Sequence, residues 1–237
     1  MTEFEKYARD GAYHWAQIDK RWLNRHYNPP LEARYEALVN RIPPNARTIL
    51  EVGCGDACLL LVGSRARPGC EFYGVDTDST GIALGQQRLN EAGVNAVIKQ
   101  GTAYSLPFDA EHFDVVLFAD VVEHLDEPAR ALTEIHRVLK ADGVLLLSTP
   151  HRQPDFVWDA PYHVHEYDAT ELKNLLSLFK QVELSGCYPM AWMRFWRKHW
   201  FCRSVMRSLG RFGFHPLKKS SSTAGVDYGQ IIAICRK

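Results

Sequence analysis

Seven short apolar runs, separated by charged segments with helical spacing, are the feature that most constrains how this chain can fold. Between the runs, residues 79–92, 128–140 and 170–178 repeat apolar residues with a helical period. Strands that alternate with helices predict parallel β-α-β units, with helices on both faces of one sheet. The sequence therefore predicts an α/β fold. The predicted strands are residues 48–53, 71–76, 96–101, 114–120, 143–150, 181–187 and 229–235.

Two segments do not belong to this alternating pattern. Residues 1–45 precede the first strand and contain two predicted helices, at 4–22 and 30–41. Residues 190–226, between the last two strands, form a basic and aromatic insertion that includes a flexible Ser-rich loop at 220–225. The predicted core is therefore residues 46–189 together with residues 227–237.

The composition is that of a globular protein with a substantial core. Of the 237 residues, 46% are hydrophobic and 24% are charged, which excludes global disorder. No apolar run approaches the ~20 residues of a membrane span, and the first thirty residues lack the apolar centre of a secretory signal. The six cysteines form no CxxC pair and no regular framework. We therefore expect a single cytoplasmic domain with free thiols.

A glycine turn follows the first strand. Gly53 and Gly55 allow the backbone to turn tightly and to approach a ligand closely. The second strand ends in Asp76, 21 residues after Gly55. Open nucleotide-binding sheets place there an acid that accepts hydrogen bonds from both ribose hydroxyls. The alternative is that Asp76 only caps the helix that begins near Ser79.

The same turn does not suit a dinucleotide. A pyrophosphate is commonly bound with the help of a third glycine, but Cys58 occupies that position here. The carboxylate of Asp56 would also repel the phosphates. An adenosine ligand without phosphate fits better, and a cationic sulfonium is compatible with the neighbouring Glu51 and Asp56.

Three segments carry a resemblance to a known family. ILEVGCGDA at 49–57, FYGVDTD at 72–78 and the stretch from 100 to 150 resemble class I S-adenosylmethionine-dependent methyltransferases, and the similarity covers about residues 47–150. The resemblance implies a Rossmann-like, seven-stranded and mostly parallel sheet whose last strand is antiparallel. It also implies S-adenosylmethionine as the cofactor.

The resemblance further implies a set of cofactor contacts at the ends of the first four strands. They are Glu51, Gly53 and Gly55 under the methionine part, Asp76 at the ribose, Thr77, Thr102 and Ala103 around the adenine, and Ala119 and Asp120 beside the methyl donor. Thr102 is a departure, because the family often has an acid there that contacts the adenine amino group. A hydroxyl or the Ala103 amide would take its place in this chain.

Methyl transfer is an in-line displacement, so few catalytic side chains are obligatory. Asp120, Glu123 and His124 are spaced to share one face of a helical turn and could hold a divalent metal, or His124 could act as a general base. Resembling enzymes without a metal have a Glu-His pair that shapes this loop. We expect no metal, and the candidate catalytic residues are His124 and His151, which follows the fifth strand.

Loops at the carboxyl edge of a parallel sheet form the substrate wall. His163 and His165 alternate in one such loop, so in extended backbone both rings would face a ligand pocket or a zinc ion. The alternative is that one caps a helix and the other packs on aromatic rings. In resembling enzymes, N-terminal helices fold over the site as a lid, so we expect substrate contacts from Tyr13, Trp15 and, in the insertion, Trp196. Ordinary packing at the sheet rim is the alternative for the N-terminal rings.

The insertion allows four interpretations. Residues 190–226 contain eight basic and no acidic residues, so the rest of the chain has a net charge of −8. The segment, which includes a predicted helix at 191–209, could be a lid, a contact with an anionic membrane surface through residues 190–212, a dimer contact or a grip on nucleic acid. The acidic remainder disfavours nucleic acid.

Two functional hypotheses follow from these observations. The first is an S-adenosylmethionine-dependent enzyme that methylates an oxygen of a small-molecule or lipid-linked metabolite, resembling quinone-pathway and sugar or natural-product O-methyltransferases. A lipid-linked acceptor would bring the cytoplasmic protein to the inner membrane surface as a peripheral protein. The second is a binding module that holds the cofactor without catalysis. Within enzymes, the alternative is an RNA methyltransferase.

Overall fold

A computed structural model of the chain describes residues 6–156, 162–218, 221–222, 225 and 227–237. Parts of three predicted features lie outside these residues. They are the start of the first helix at 4–5, positions 157–161 of the loop after the fifth strand, and positions 220, 223 and 224 of the Ser-rich loop at 220–225.

One seven-stranded sheet organises the molecule. Its strands are β1 Thr48–Val52, β2 Glu71–Asp76, β3 Ala96–Gln100, β4 Phe113–Ala119, β5 Leu139–Pro150, β6 Gln181–Pro189 and β7 Tyr228–Arg236. Their order is β3-β2-β1-β4-β5-β7-β6. Strands β1 to β5 are parallel, and β7 is antiparallel to both of its neighbours, β5 and β6. The predicted Rossmann-like fold with an antiparallel last strand is confirmed.

Helices cover both faces of the sheet, as side-chain alternation requires. In β4, Val115 and Leu117 belong to one buried apolar cluster, whereas Val116 and Phe118 belong to another on the opposite face. The helices are α1 Lys6–Asp10, α2 Tyr13–Ile18, α3 Pro29–Val39, α4 Cys58–Ala66, α5 Ser79–Glu91, α6 Pro128–Val138, α7 Ala169–Leu175, α8 Met190–Lys198 and α9 Trp200–Arg211, with 3-10 turns at Val122–His124 and Pro216–Lys218. All six cysteines are free, as expected.

Two predicted helices are each divided in the structure. The predicted helix at 4–22 contains α1 and α2, separated at Gly11, whose φ of +63° leaves the helical region. The predicted helix at 191–209 is α8 and α9, divided at His199, which has extended backbone. The His199 ring accepts a hydrogen bond from the N–H of Phe201 and so caps α9. Apolar periodicity does not report such breaks, because the stripe continues through them.

The apolar side of the insertion faces the protein. Met190, Met193, Cys202 and Met206 are buried, and α8 and α9 pack against β6, β7 and α3. Trp196 is half-buried against the apolar core cluster that includes Met190 and Met206. This packing is compatible with the lid interpretation, although the ring of Trp200 remains exposed. In the described part of the chain, no helix combines the length and apolar character that crossing a membrane demands.

One carboxylate ties the beginnings of β1 and β4 together. Asp114 accepts hydrogen bonds from the N–H groups of Arg47 and Thr48, both at 2.9 Å, and from the Lys140 ammonium at 2.8 Å. Burial alone would raise the pKa of Asp114, but the Lys140 charge and the backbone donors outweigh it and lower the pKa to about 2. The ionised form therefore stabilises the folded state.

We expect Asp114→Asn to lower the free energy of unfolding by about 1–2 kcal/mol near neutral pH, because charge-assisted hydrogen bonds are lost. The folded pKa lies below the ~3.9 of an unfolded aspartate, so the stabilisation is complete above about pH 4 and is lost as the pH falls towards 2. Urea unfolding should show the difference from wild type shrinking over that range. The exposed control Asp142→Asn should show little change, and a pH-independent effect of Asp114→Asn would contradict this assignment.

Candidate functional site

The glycine turn is fixed to the end of β2 by backbone hydrogen bonds. The carbonyl oxygen of Val75 accepts from the N–H groups of Gly53 (2.8 Å) and Cys54 (3.1 Å). Gly53 has a φ of +76°, and a Cβ atom there would lie 2.4 Å from a methyl carbon of Val121. Only glycine fits this position, which explains why the sequence has it there.

Asp76 completes the turn from the neighbouring strand. One oxygen of its carboxylate accepts from the N–H of Gly55 at 2.7 Å, and the other accepts from the N–H of Asp78 at 2.9 Å. Burial raises the pKa of Asp76. Each carboxylate oxygen has a second lone pair, so the group can still accept from a pair of hydroxyls. The helix that follows is capped by Asp78, whose side chain accepts from the N–H of Gly81 at 2.8 Å. Capping is therefore not the role of Asp76.

Glu51 lies beneath the turn at the end of β1. Its side chain is buried, and its Oε2 atom has no hydrogen-bond partner among the described residues. Burial, followed by the charges of Asp56 and Asp76, raises the pKa of Glu51 well above its usual value. An unpartnered buried acceptor of this kind fits a ligand that brings its own donor or positive charge. The ammonium and sulfonium groups of S-adenosylmethionine meet that requirement.

The remaining predicted cofactor residues lie at the same edge of the sheet. Thr77 and Thr102 follow β2 and β3 and are exposed, and Ala103 is half-buried beside them. The Thr77 carbonyl accepts from the Gln100 side chain at 3.0 Å, which joins the ends of β2 and β3. Ala119 ends β4 and is half-buried. Because parallel strands present their carboxyl ends together, the four loops converge on one concave edge.

The N-terminal helices are fixed on the glycine turn through Asp56. Its carboxylate accepts from the backbone N–H of His14 at 3.0 Å and contacts Nδ1 of the same ring at 2.9 Å. The indole N–H of Trp15 donates to the Asp56 carbonyl at 2.7 Å. Tyr13 stacks on Tyr7, with ring centroids 5.5 Å apart. The structure thus places Tyr13 and Trp15 over the predicted cofactor turn.

Tyr7 is one of the N-terminal rings, but it was not among the site residues predicted from the sequence. It is buried against the turn, and a Cβ atom at Gly55 would lie 1.8 Å from its hydroxyl oxygen. Gly81 is equally restricted, because a Cβ there would lie 2.9 Å from the Tyr7 ring. The aromatic richness of the N-terminal segment was a signal for contacts of this kind, but it did not identify the ring that covers the turn.

Asp120 is the centre of a second polar cluster, at the end of β4. Its φ of +52° is in the left-handed region. Its carboxylate accepts from the Ser148 hydroxyl at 2.8 Å and the Gln230 side-chain amide at 2.6 Å, and it forms a short ion pair with Arg34. Burial alone would lower the pKa of Arg34, but the Asp120 charge outweighs it and raises the pKa. Arg34 is the second residue that the sequence did not reveal, because nothing distinguishes it within its helix.

The possible metal ligands that the structure brings together differ from the Asp120, Glu123 and His124 set considered from the sequence. Asp120 is held by Arg34, and the donors that come together, among the described residues, are those of Glu123, His124 and His163, all within 4.8 Å of one another. Glu123 is buried, accepts from the Thr149 hydroxyl at 3.1 Å, and leaves its Oε1 atom unpartnered among the described residues. This donor set is chemically able to hold a divalent ion.

Glu123 and His124 also hold the loop that follows β5. The Glu123 carbonyl accepts from the N–H groups of Val164 (2.8 Å) and His165 (3.1 Å). Nδ1 of His124 lies 3.0 Å from the Tyr162 carbonyl oxygen and therefore donates to it. The Glu-His pair thus shapes the loop, in agreement with one of the sequence-based alternatives.

The other predicted catalytic and substrate residues each have separate partners. His163 Nδ1 contacts Glu166 at 3.0 Å, whereas His165 contacts Glu171 at 3.4 Å, so the two rings do not act as a pair. His151 is 2% exposed, and its Nδ1 donates to the Tyr228 carbonyl at 2.9 Å. Trp196 is covered by the guanidinium of Arg207, 5.4 Å from its ring centroid.

Known proteins share the sequence pattern of this site. Residues 50–147 match the family model described as a methyltransferase domain. A ubiquinone biosynthesis O-methyltransferase of Azorhizobium caulinodans is 36% identical over 110 residues, which are 46% of this chain and 43% of that protein. A probable S-adenosylmethionine-dependent methyltransferase of Mycobacterium tuberculosis is 33% identical over 175 residues, 72% of this chain and 59% of that protein. The chain spans about half the length of these curated relatives.

Solved structures show the same fold. An S-adenosylmethionine-dependent methyltransferase of Thermotoga maritima has a TM-score of 0.68 at 18% identity, and the match covers 99% of this chain and 98% of that one. A geranyl diphosphate methyltransferase in complex with S-adenosylmethionine has a TM-score of 0.62 at 15% identity, and the match covers 87% and 86% of the two chains. At these identities the likeness concerns the fold alone.

We expect Asp76→Asn to weaken S-adenosylmethionine binding at least about tenfold, because hydrogen bonds to a carboxylate contribute about 1.5–3 kcal/mol. The amide keeps the shape of the side chain but has one acceptor oxygen in place of two. Isothermal calorimetry measures the affinity, with the exposed Asp109→Asn as the matched control. Equal affinities for Asp76→Asn and wild type would reject this site.

Proposed function

The chain belongs to the class I S-adenosylmethionine-dependent methyltransferases, and on that basis we propose that it transfers a methyl group to an oxygen atom of a small-molecule acceptor. The observation that carries this proposal is the imidazole of His124, which is oriented at the acceptor edge of the site with one nitrogen able to take a proton. The names of the relatives in ubiquinone biosynthesis support oxygen as the acceptor atom.

The residues around the glycine turn fit the cofactor of this family. When bound, S-adenosylmethionine supplies an electrophilic methyl group on a positively charged sulfur. We infer that Asp76 accepts hydrogen bonds from the ribose hydroxyls and that the unpartnered Oε2 of Glu51 accepts from the methionine part. Because Asp56 holds both His14 and Trp15, the N-terminal helices can close this edge and exclude water from it.

We assign the general base to His124. Its Nδ1 donates to the Tyr162 carbonyl, so Nε2 carries the lone pair that accepts the acceptor's proton. Burial lowers the pKa of His124 from its ordinary value of about 6.5, so the ring is neutral near neutral pH. His151 is buried, and its ring donates a hydrogen bond to the Tyr228 carbonyl. We propose that it positions the end of β5 against β7 and does not act as a base.

We place the acceptor between His124 and the ion pair of Arg34 with Asp120. The Nε atom of Arg34 is buried and has no hydrogen-bond partner among the described residues. An oxygen atom of the substrate that receives the methyl group would complete its hydrogen bonding. The pair draws together α3 and the end of β4 and so fixes the floor of this space. An acceptor with a phenolic or enolic hydroxyl suits a guanidinium, because its oxygen gains negative charge as the proton leaves.

We further propose that the methyl acceptor is linked to a lipid. The insertion has exposed rings at Trp200 and Phe201 and a basic side that includes Arg203. A peripheral contact through residues 190–212 would bring the active-site edge to an acceptor embedded in an anionic membrane surface.

The proposed reaction is tested by incubating the protein with S-adenosylmethionine carrying a labelled methyl group and a panel of catechols and hydroquinones. We expect mass spectrometry to find the label as a methyl ether on at least one of these compounds. Retained cofactor affinity without transfer to any compound of the panel would contradict O-methylation and favour the binding-module hypothesis.

We expect kcat/KM to rise with pH and to level off above a pKa that lies below about 6.5, because the base acts in its neutral form. His124→Gln should lower kcat by about a hundredfold or more and remove this rising limb. The matched control is His136→Gln, since burial also lowers the pKa of His136 but its ring packs on Phe179, away from the acceptor edge. An unchanged pH profile for His124→Gln would exclude His124 as the base.

A further inference from the structure

Two distant segments of the chain form one exposed apolar surface. Residues 20–25 connect α2 and α3, and residues 211–214 follow from the end of α9. Together they expose four large apolar side chains, and we call these two segments the Trp22 surface. Their exposed fractions are 65% for Trp22, 89% for Leu23, 81% for Phe212 and 54% for Phe214. Single exposed apolar side chains are ordinary, but a cluster of this kind marks an interaction site.

The Trp22 surface is held in place by specific contacts. The rings of Trp22 and Phe212 meet edge to face, with centroids 6.2 Å apart. The guanidinium of Arg211 lies 5.7 Å from the Trp22 ring centroid and donates to the carbonyl oxygens of Lys20 (3.2 Å) and Asn24 (2.5 Å). Arg211 therefore joins the two segments, and the exposed rings are presented by a structured part of the protein.

The charge of the Trp22 surface has one sign. Its two segments contain Lys20, Arg21, Arg25 and Arg211 and no acidic residue. Lys20 pairs with Glu32 at 2.5 Å and Arg21 with Asp19 at 2.6 Å, both outside the segments. Arg25 is exposed and forms no ion pair with any described residue. Tryptophan, phenylalanine and leucine surrounded by arginine and lysine are the composition of surfaces that lie in the interface of anionic bilayers.

We propose that the Trp22 surface docks on the surface of a bilayer that contains anionic lipids. The aromatic and leucine side chains enter the headgroup region, and Arg25 and Arg211, which form no ion pair with a described residue, face the lipid phosphates. This contact is an alternative to the one through residues 190–212, where Trp196 is half-buried against the core but Trp200 and Phe201 are exposed. Its biological meaning rests on the proposed function, because docking would give the enzyme access to a lipid-linked acceptor.

The test is flotation of the full chain with vesicles of phosphatidylcholine alone and of phosphatidylcholine mixed with phosphatidylglycerol. We expect binding to the mixed vesicles, little binding to phosphatidylcholine alone, and weakening as salt is added. The variant Trp22→Ser with Phe212→Ser should bind the mixed vesicles at least about tenfold more weakly. Arg25→Gln should weaken binding without removing an apolar side chain.

The matched control is Trp200→Ser with Phe201→Ser, which removes two similarly exposed rings from the opposite end of α9. If the Trp22 surface is the docking site, this variant should bind vesicles as wild type does, whereas a loss of vesicle binding would assign the contact to residues 190–212 and overturn the proposal. All variants should keep wild-type affinity for S-adenosylmethionine, so that a loss of vesicle binding is separated from unfolding and from failure of the proposed function. Wild-type binding by the Trp22 and Phe212 variant overturns the proposal. So does equal binding to both kinds of vesicle, or self-association of the chain at the Trp22 surface without vesicle binding.

Discussion

The hydrogen bond from the N–H of Gly55 to the Asp76 carboxylate is the contact on which the rest of the site depends. It joins the turn after β1 to the end of β2, so the two strands present a glycine backbone and an acid at one point. The Val75 carbonyl fixes the same turn from below by accepting from Gly53 and Cys54. Asp56, the next residue of the turn, then carries the N-terminal helices. The glycine turn and the N-terminal helices are thus parts of one hydrogen-bonded unit.

The side of the site where we propose that the acceptor binds depends on the antiparallel strand. Because β7 lies between β5 and β6, its residue Gln230 pairs with Pro150 and its side chain reaches Asp120 at the end of β4. Ser148 on β5 and Arg34 on α3 reach the same carboxylate. Elements from the two ends of the chain therefore fix one residue in a left-handed conformation beside the proposed methyl donor.

Local patterns in the sequence were sufficient to predict the sheet and the turn. Apolar runs indicated the strands, because that signal is local, and the glycines with Asp76 at a fixed interval located the turn, because adjacent parallel strands bring their carboxyl ends together. The Arg34 ion pair, the Tyr7 ring on Gly55 and the loop contacts of Glu123 join residues that are distant in sequence. No periodicity or motif encodes such contacts, which arise only when the sheet brings the elements together.

The central claim is that the turn and Asp76 hold an adenosine compound that carries a sulfonium or thioether and no pyrophosphate. Competitive calorimetry of the full chain with S-adenosylmethionine, S-adenosylhomocysteine and NAD tests it most directly. We expect the first two compounds to bind and to displace one another, and NAD to neither bind nor compete. Binding of NAD in competition with S-adenosylmethionine, or binding of none of the three, would contradict the account.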